Sequence, residues 1–483
     1  MNWVVGASGN LSAVNAGYAA SRESDDPLAR VGRRWLRTVL VGGGALVLVL
    51  GIALYSTHDA KYALAASLVV LFAGFAVFEP TILPGIAIIG TLVLERLAGA
   101  STNLSVSDAL LFFGTLSALI VFRPGGDREV KVLLWLVVAY EAMMLLPVLD
   151  NPYRADFTEW GHEAFLAGGA QICGWVVGRH GHARFGLGAF LFGACVLSIW
   201  AGLESPLHHF HPVYLPGGYQ KNSIGDLVAF GTLIAYANPG YLNLSRRLRH
   251  WVIVLTIVGI AASQSRQAEI GLIVASLVVL HRRGGLRRQG KLIALFSIPV
   301  LAYIGIKVKD QLTSKNQFNS AHQRLTWYHD SLSVFHVSPW LGVGLRWWYT
   351  NRFPFQFQPP NAELEMLTSG GIVGLVAMFV LYGGGLERLR RLDWEFGTLA
   401  FAALLMRVTQ AQFDIFWVTG QSSLPFMIVG VALGARMLAR QRATACALPG
   451  DGPARRKEAA GPRVPARALA ARTGGPGVAR RTT

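Results

Sequence analysis

Val130 to Val148 reads VKVLLWLVVAYEAMMLLPV, and how this stretch folds decides the architecture of the chain. A helix rises about 1.5 Å per residue, so the run covers roughly 28 Å, close to the ~30 Å hydrocarbon thickness of a bilayer. Its only charged side chains are Lys131 near one end and Glu141 inside it. Such a run is a membrane-crossing helix. Working outward, comparable runs lie near 38–56, 63–78, 82–97, 107–122, 163–178, 185–203, 225–242, 250–264, 268–281, 292–308, 364–386, 395–412 and 420–438. They give 14 crossings, or 12 if the runs at 63–78 and 82–97, broken at Glu79 and Pro80, form a hairpin that does not span.

Composition agrees with that pattern. Of the 483 residues, 52% are hydrophobic and 15% charged, against about 25% charged in a soluble globular domain. Three cysteines are too few for a disulfide scaffold. The sequence predicts an all-α, polytopic membrane protein with about 12 to 14 transmembrane helices and one long extracytoplasmic loop.

The formal charge of +17 is informative through its placement. With the amino terminus in the cytoplasm, alternate connections should collect Lys and Arg. They do: about 32 of the 44 basic residues fall on one side, among them Arg33, Arg34, Arg123, Arg128, Arg246, Arg247, Arg282, Arg283, Arg390 and Arg391. Both termini are therefore expected in the cytoplasm of an inner (plasma) membrane protein. The charge is an orientation signal plus a basic tail, with no base-stacking module, so nucleic acid is not an expected partner. The expected organisation is a cytoplasmic segment over 1–36, transmembrane helices over 37–308, an extracytoplasmic loop with short helices over 309–363, transmembrane helices over 364–440 and a disordered basic tail over 441–483. No cleaved signal peptide is evident, and the first helix serves as the targeting signal. Cys173, Cys195 and Cys446 lack metal-ligand spacing and read as inert.

With the topology set, polar residues on the outer side become the candidates. The connection 204–224 carries His208, His209, His211 and Lys221. The loop 309–363 is unusually long for a connection without its own repeat, a length associated with function. It holds Arg324, Arg346 and Arg352, with His322, His329 and His336 and aromatics that include Trp327, Trp340, Trp347 and Trp348. Arg266, in ASQSRQAEIG, sits in a turn so tight that it lies at the membrane boundary. A local pair with Glu269, one helical turn away, would satisfy it there. Glu141, Asp226, Arg407 and Asp414 read as packing partners or cavity-lining groups.

Lys221, Arg266 and Arg324 are chemically suited to a diphosphate, because Arg offers a planar fork and Lys a compact point charge to phosphate oxygens. The same cations would also anchor loops to lipid headgroups. The stretches YQKNSIG (219–225), SQSRQA (263–268), QRLTWYHDSLSVFHVSPWLGVGL (323–345) and PNAELEMLTSGGIVG (360–374) resemble, in this order, the blocks of the O-antigen ligase and O-antigen polymerase superfamily. The resemblance implies a GT-C-like membrane glycosyltransferase that takes a glycan from an undecaprenyl diphosphate carrier and passes it to an acceptor glycan or lipid, without cofactor or metal. It implies that Lys221, Arg266 and Arg324 hold the carrier diphosphate, with Asn222, Asn361, Gly371 and Gly374 in supporting motif positions. Membrane lipids are the remaining expected partners.

One departure stands out. The last block opens with His in the family, as base or orienter of the acceptor hydroxyl, where this chain has Pro360. Proline cannot take a proton. Glu365 and His322 are the named replacements, with Glu363 and His329 beside them. The YQKNSIG block and the absent His tilt the reading toward a polymerase rather than a ligase. The loop is expected to fold as a lid whose aromatics pack on lipid or on sugar rings. Competing readings are a transporter of the bicarbonate type, against which no internal symmetry is visible, and a catalytically silent relative that binds the lipid carrier.

Overall fold

The computed structural model describes residues 78–96, 104–125, 127–284, 320–354, 356–414 and 417–447, with isolated positions at 74, 76, 295, 298, 299, 301–303, 305, 306 and 309. The expected amino-terminal segment 1–36, the runs at 38–56, most of 63–78 and of 292–308, and the tail beyond 447 lie outside the described residues. Among the described residues every regular element is helical, with only isolated bridges at Arg96–Ser105 and Leu215–Tyr219.

The helices are α1 (Ile82–Gly90), α2 (Val106–Val121), α3 (Arg128–Asp150), α4 (Arg154–Ala164), α5 (Ala170–Arg179), α6 (Ala183–Leu207), α7 (Lys221–Ala237), α8 (Arg246–Ser263), α9 (Arg266–Arg282), α10 (Ser320–Phe335), α11 (Ala362–Arg390), α12 (Trp394–Gln410) and α13 (Ser423–Ala447). A π-helical turn, Phe165–Gly169, joins α4 to α5. Among the described residues four helices are long and apolar enough to cross a membrane: α3, α6, α11 and α13 over Ser423–Thr444. The run that opened the sequence reading is α3. The run at 82–97 behaves differently, because α1 stops at Gly90 and the chain continues without helix to a bridge at Arg96. Nine residues reach only about 14 Å, too short for α1 to span alone.

Small residues set the closest helix contacts, as is common where lipid offers no hydrophobic drive to association. A Cβ placed on Gly174 or Gly178 of α5 would strike the carbonyls of Met427 and Val431, and one on Gly430 or Gly434 of α13 would strike those of Gln171 and Trp175. Two helices thus interlock through glycines spaced four apart on each. Around them α3 packs on α11, α7 on α6, α8 and α9, and α9 on α12.

Two of the basic residues expected on one side, Arg282 and Arg283, lie at the same end of the described helices. Arg282 donates to the carbonyls of Leu389, Arg390 and Leu392 at the end of α11. Arg283 donates to Tyr236 and Ala237 at the end of α7. These guanidiniums complement the negative ends of two helices. The clusters in the next subsection gather at the opposite helix ends. A second compact unit, Met437–Thr483, is described only as helix to Ala447.

Candidate functional site

The site begins with two helix starts brought side by side. Lys221 opens α7 and Arg266 opens α9. The first N–H groups of a helix have no intrahelical acceptor, and neither Gln220 nor Ser265, the residues preceding these helices, caps them with its side chain. Gly225, one turn into α7, is what allows the approach: a Cβ there would lie 2.4 Å from Ser265 Cβ and 2.8 Å from Ser263 Oγ. Two positive helix ends therefore share one mouth, an arrangement suited to an anion.

Arg324 joins them from α10. Partial burial, then the guanidiniums of Arg266 and Arg324, hold the Lys221 ammonium below its usual value, with the Asp414 carboxylate opposing. The three cations expected from sequence are thus within electrostatic reach of one another although roughly a hundred residues separate the first from the last. Glu269, one turn along α9, is within electrostatic reach of Arg266.

A polar floor lies beneath the cations. Asn222 Nδ2 donates to Asp414 Oδ2 at 2.7 Å. Gln267 Nε2 bridges Asp226 Oδ2 at 2.7 Å and Asp414 Oδ2 at 3.0 Å. Arg407, fully buried, stands 4.0 Å from Asp226 Oδ2 and donates to Gln421 and Ser422. Asp414 therefore links the cations to the Asp226–Arg407 pair through Asn222 and Gln267. From sequence Asp414 reads as a packing or cavity-lining group, and Gln267 is passed over. The only signal was adjacency to Arg266 for Gln267, and a lone acid at a helix exit for Asp414.

The last sequence block forms the wall. Asn361 caps α11, its Oδ1 accepting from Leu364 N at 2.9 Å. Glu365, in the first turn, is 4% exposed and accepts from Gln358 Nε2 at 3.0 Å. Glu363 accepts from Gln412 at 2.7 Å, and Ala362 N donates to Ala411 O at 3.0 Å. Both tie α11 to the end of α12, three residues from Asp414. Pro360 is buried beside them. His322 belongs to α10, but its side chain lies outside the described residues. His329 is exposed next to Asp330.

Gly371 breaks α11 with φ +61° and ψ −155°, a conformation glycine alone adopts readily. The break frees backbone groups that the 339–344 segment satisfies. Val343 N and Gly344 N donate to Thr368 O and Ser369 O at 2.9 and 3.0 Å, and Ile372 N and Val373 N donate back to Pro339 O and Trp340 O at 2.8 and 3.2 Å. A Cβ at Gly371 would lie 2.3 Å from Trp340 C. The third and fourth blocks are therefore one interlocked structure. Gly374 lies under Met144, where a Cβ would come 3.4 Å from the sulfur.

Arg346 and Arg352, also expected in the loop, are used otherwise. Arg346 is buried, 3.4 Å from Glu159 Oε2 and over the Tyr349 ring at 4.6 Å. Glu159 lies 3.5 Å from His162 Nδ1, and His162 Nε2 is 2.8 Å from Asp108 Oδ1. Arg352 donates to Asn151 Oδ1 at 2.9 Å. A cavity of about 350 Å³ borders Asp108 and His162, with Phe112, Phe113 and Phe165 in its wall.

With this geometry in place, residues 251–379 match the family model described as O-Antigen ligase. The match contains Arg266, Arg324, Asn361, Glu365, Gly371 and Gly374, and leaves Lys221 and Asn222 before it and Asp414 beyond it. No curated protein matches the chain. The O-antigen ligase segment at residues 251–379 and the long apolar helices support an integral membrane protein similar to the O-antigen ligase-like superfamily.

Proposed function

We propose, taking similarity to the O-antigen ligase-like superfamily as the premise, that this chain is a metal-independent GT-C-type glycosyltransferase. It takes a glycan from an undecaprenyl diphosphate carrier at the extracytoplasmic face of the inner membrane and passes it to an acceptor glycan or lipid. The topology goes with it: 12 to 14 crossings, both termini cytoplasmic, and the loop 309–363 outside. The observation that carries the reading is the mutual approach of Lys221, Arg266 and Arg324 over two uncapped helix starts. An ammonium held beside two guanidiniums is costly unless an anion arrives to offset the charge.

In the proposed reaction the acceptor hydroxyl oxygen attacks the anomeric carbon, the bond from that carbon to the carrier diphosphate breaks, and the negative charge passes to the departing oxygen. Lys221, Arg266 and Arg324 stabilise that charge. The hydroxyl proton needs an acceptor that Pro360 cannot be. Asp414 suits the task, since Asn222 and Gln267 fix its carboxylate beside Lys221. Glu365, covered and tied to Gln358, orients the α11 start, and His322 remains the alternative base named from sequence. Polymerisation is favoured over ligation, because YQKNSIG and the missing His are more similar to exopolysaccharide polymerases.

The test is reconstitution with an undecaprenyl diphosphate-linked oligosaccharide. Alanine at Lys221, Arg266 or Arg324 is expected to cut transfer by about 10²-fold, the scale for removing one donor to a developing oxyanion. Unchanged transfer in all three refutes the assignment. Asp414→Asn, Glu365→Gln and His322→Ala, compared in kcat, identify the base: the largest fall belongs to Asp414 on this proposal.

A further inference from the structure

The loop aromatics offer a site that the cations do not. Trp327 follows Arg324 by three residues on α10, so the two lie about 4.5 Å apart along the axis and on one face. The Trp327 ring is stacked on Phe357, with centroids 5.3 Å apart and planes at 17°. Phe357 is in turn braced edge-on by Trp347, 6.3 Å away, which is fully buried with Trp348 and Phe353 around it. Trp327 itself stays half-buried. The next residue, Gln358, donates to Glu365, so the stacked pair is held between the α10 cation and the wall of the site.

We infer that the Trp327–Phe357 pair is a saccharide platform that receives a pyranose ring of the carrier-linked glycan, next to the diphosphate. The inference rests on the diphosphate reading of Lys221, Arg266 and Arg324. Three features support it. A sugar on a lipid diphosphate is attached directly to the phosphate, so its ring falls within one helical turn of the cation that grips that phosphate. An indole face is electron-rich and apolar, and complements the polarised C–H face of a pyranose. The ring is rigidly backed by a second aromatic and a buried third, which lowers the ordering cost of binding against it. A ring that only anchored the loop in lipid would need no such backing. The platform discriminates by ring shape rather than by hydroxyl pattern, so it fits a chain of varied sugars better than one epimer.

The full chain in lipid nanodiscs is titrated with undecaprenyl diphosphate carrying no sugar, and with the same lipid carrying glucose, galactose or N-acetylglucosamine. Wild type is expected to bind at least one glycosylated lipid about tenfold more tightly than the bare one, the scale of one good aromatic contact. Trp327→Ala removes that preference and leaves bare-lipid affinity unchanged, Phe357→Ala weakens it, and Trp327→Phe keeps most of it. A preference that survives Trp327→Ala, or wild type without preference for any of the three sugars, overturns the platform. Equal losses for bare and glycosylated lipid also overturn it and mark the ring as a bilayer anchor. The diphosphate reading fails by a separate result, bare-lipid binding indifferent to Arg266→Ala.

Discussion

Two charged clusters sit at the same end of the helix bundle and are built on opposite terms. In the Arg346–Glu159–His162–Asp108 chain, cation and carboxylate alternate at 2.8–3.5 Å, and every member is less than a tenth exposed. At the mouth, Arg266 and Arg324 both repel the Lys221 ammonium, and two helix starts add to the positive field. The first cluster is balanced inside the protein and binds the loop after Gly344 to α4. The second has its like charges gathered where two helices begin. A balanced buried chain serves the fold, whereas like charges held together serve a ligand of opposite sign.

The contrast can be broken in two ways, and the larger effect is on the balanced chain. Arg346→Ala leaves the buried Glu159 beside His162 without its guanidinium, and removing one partner of a buried pair costs about 3–5 kcal/mol. Thermal unfolding in detergent should show a large fall in Tm. Arg266→Ala at the mouth should behave in the reverse manner: binding of bare undecaprenyl diphosphate weakens by about tenfold, the worth of a charge-assisted hydrogen bond, while Tm holds or rises slightly as repulsion with Lys221 is relieved. If Arg346→Ala were stable and Arg266→Ala unstable, the two clusters would have exchanged roles.

Much of the bundle was legible in advance. α3, α6 and α11 announce themselves through unbroken apolar length, and Lys221, Arg266 and Arg324 through their places in the motif stretches YQKNSIG, SQSRQA and QRLTWYHDSLSVFHVSPWLGVGL. The short α1 was not fixed by its run, because apolar composition continues to Leu94 while the helix ends at Gly90. The kink at Gly371 was visible only as a motif position: no periodicity says that a helix will exchange backbone hydrogen bonds with a segment some thirty residues earlier. Asp414 was hidden for a related reason. Its meaning comes from Asn222 and Gln267, partners supplied by tertiary contact and by no local spacing. Arg346 misled in the other direction, since a loop arginine looks available for a ligand until its burial against Glu159 is known.

The smallest effect is the most specific to the mouth, and it concerns pH. Burial and the neighbouring guanidiniums depress the Lys221 ammonium, so in the free protein it loses its proton below the ordinary lysine range near 10.4. A bound diphosphate reverses the field and restores the proton. Affinity for bare undecaprenyl diphosphate should therefore fall as pH rises through the free-site value of Lys221. Over the same window, up to the unfolded value, the folded chain binds fewer protons than the unfolded one, so stability rises with pH. Binding and stability move in opposite directions, which a general alkaline loss of structure would not produce. Lys221→Arg keeps its charge across this range and should flatten both trends, leaving a Kd that changes little between pH 7 and about 10. Parallel slopes in wild type and Lys221→Arg would mean that some other group titrates, and that Lys221 lies too far from the phosphates to sense them.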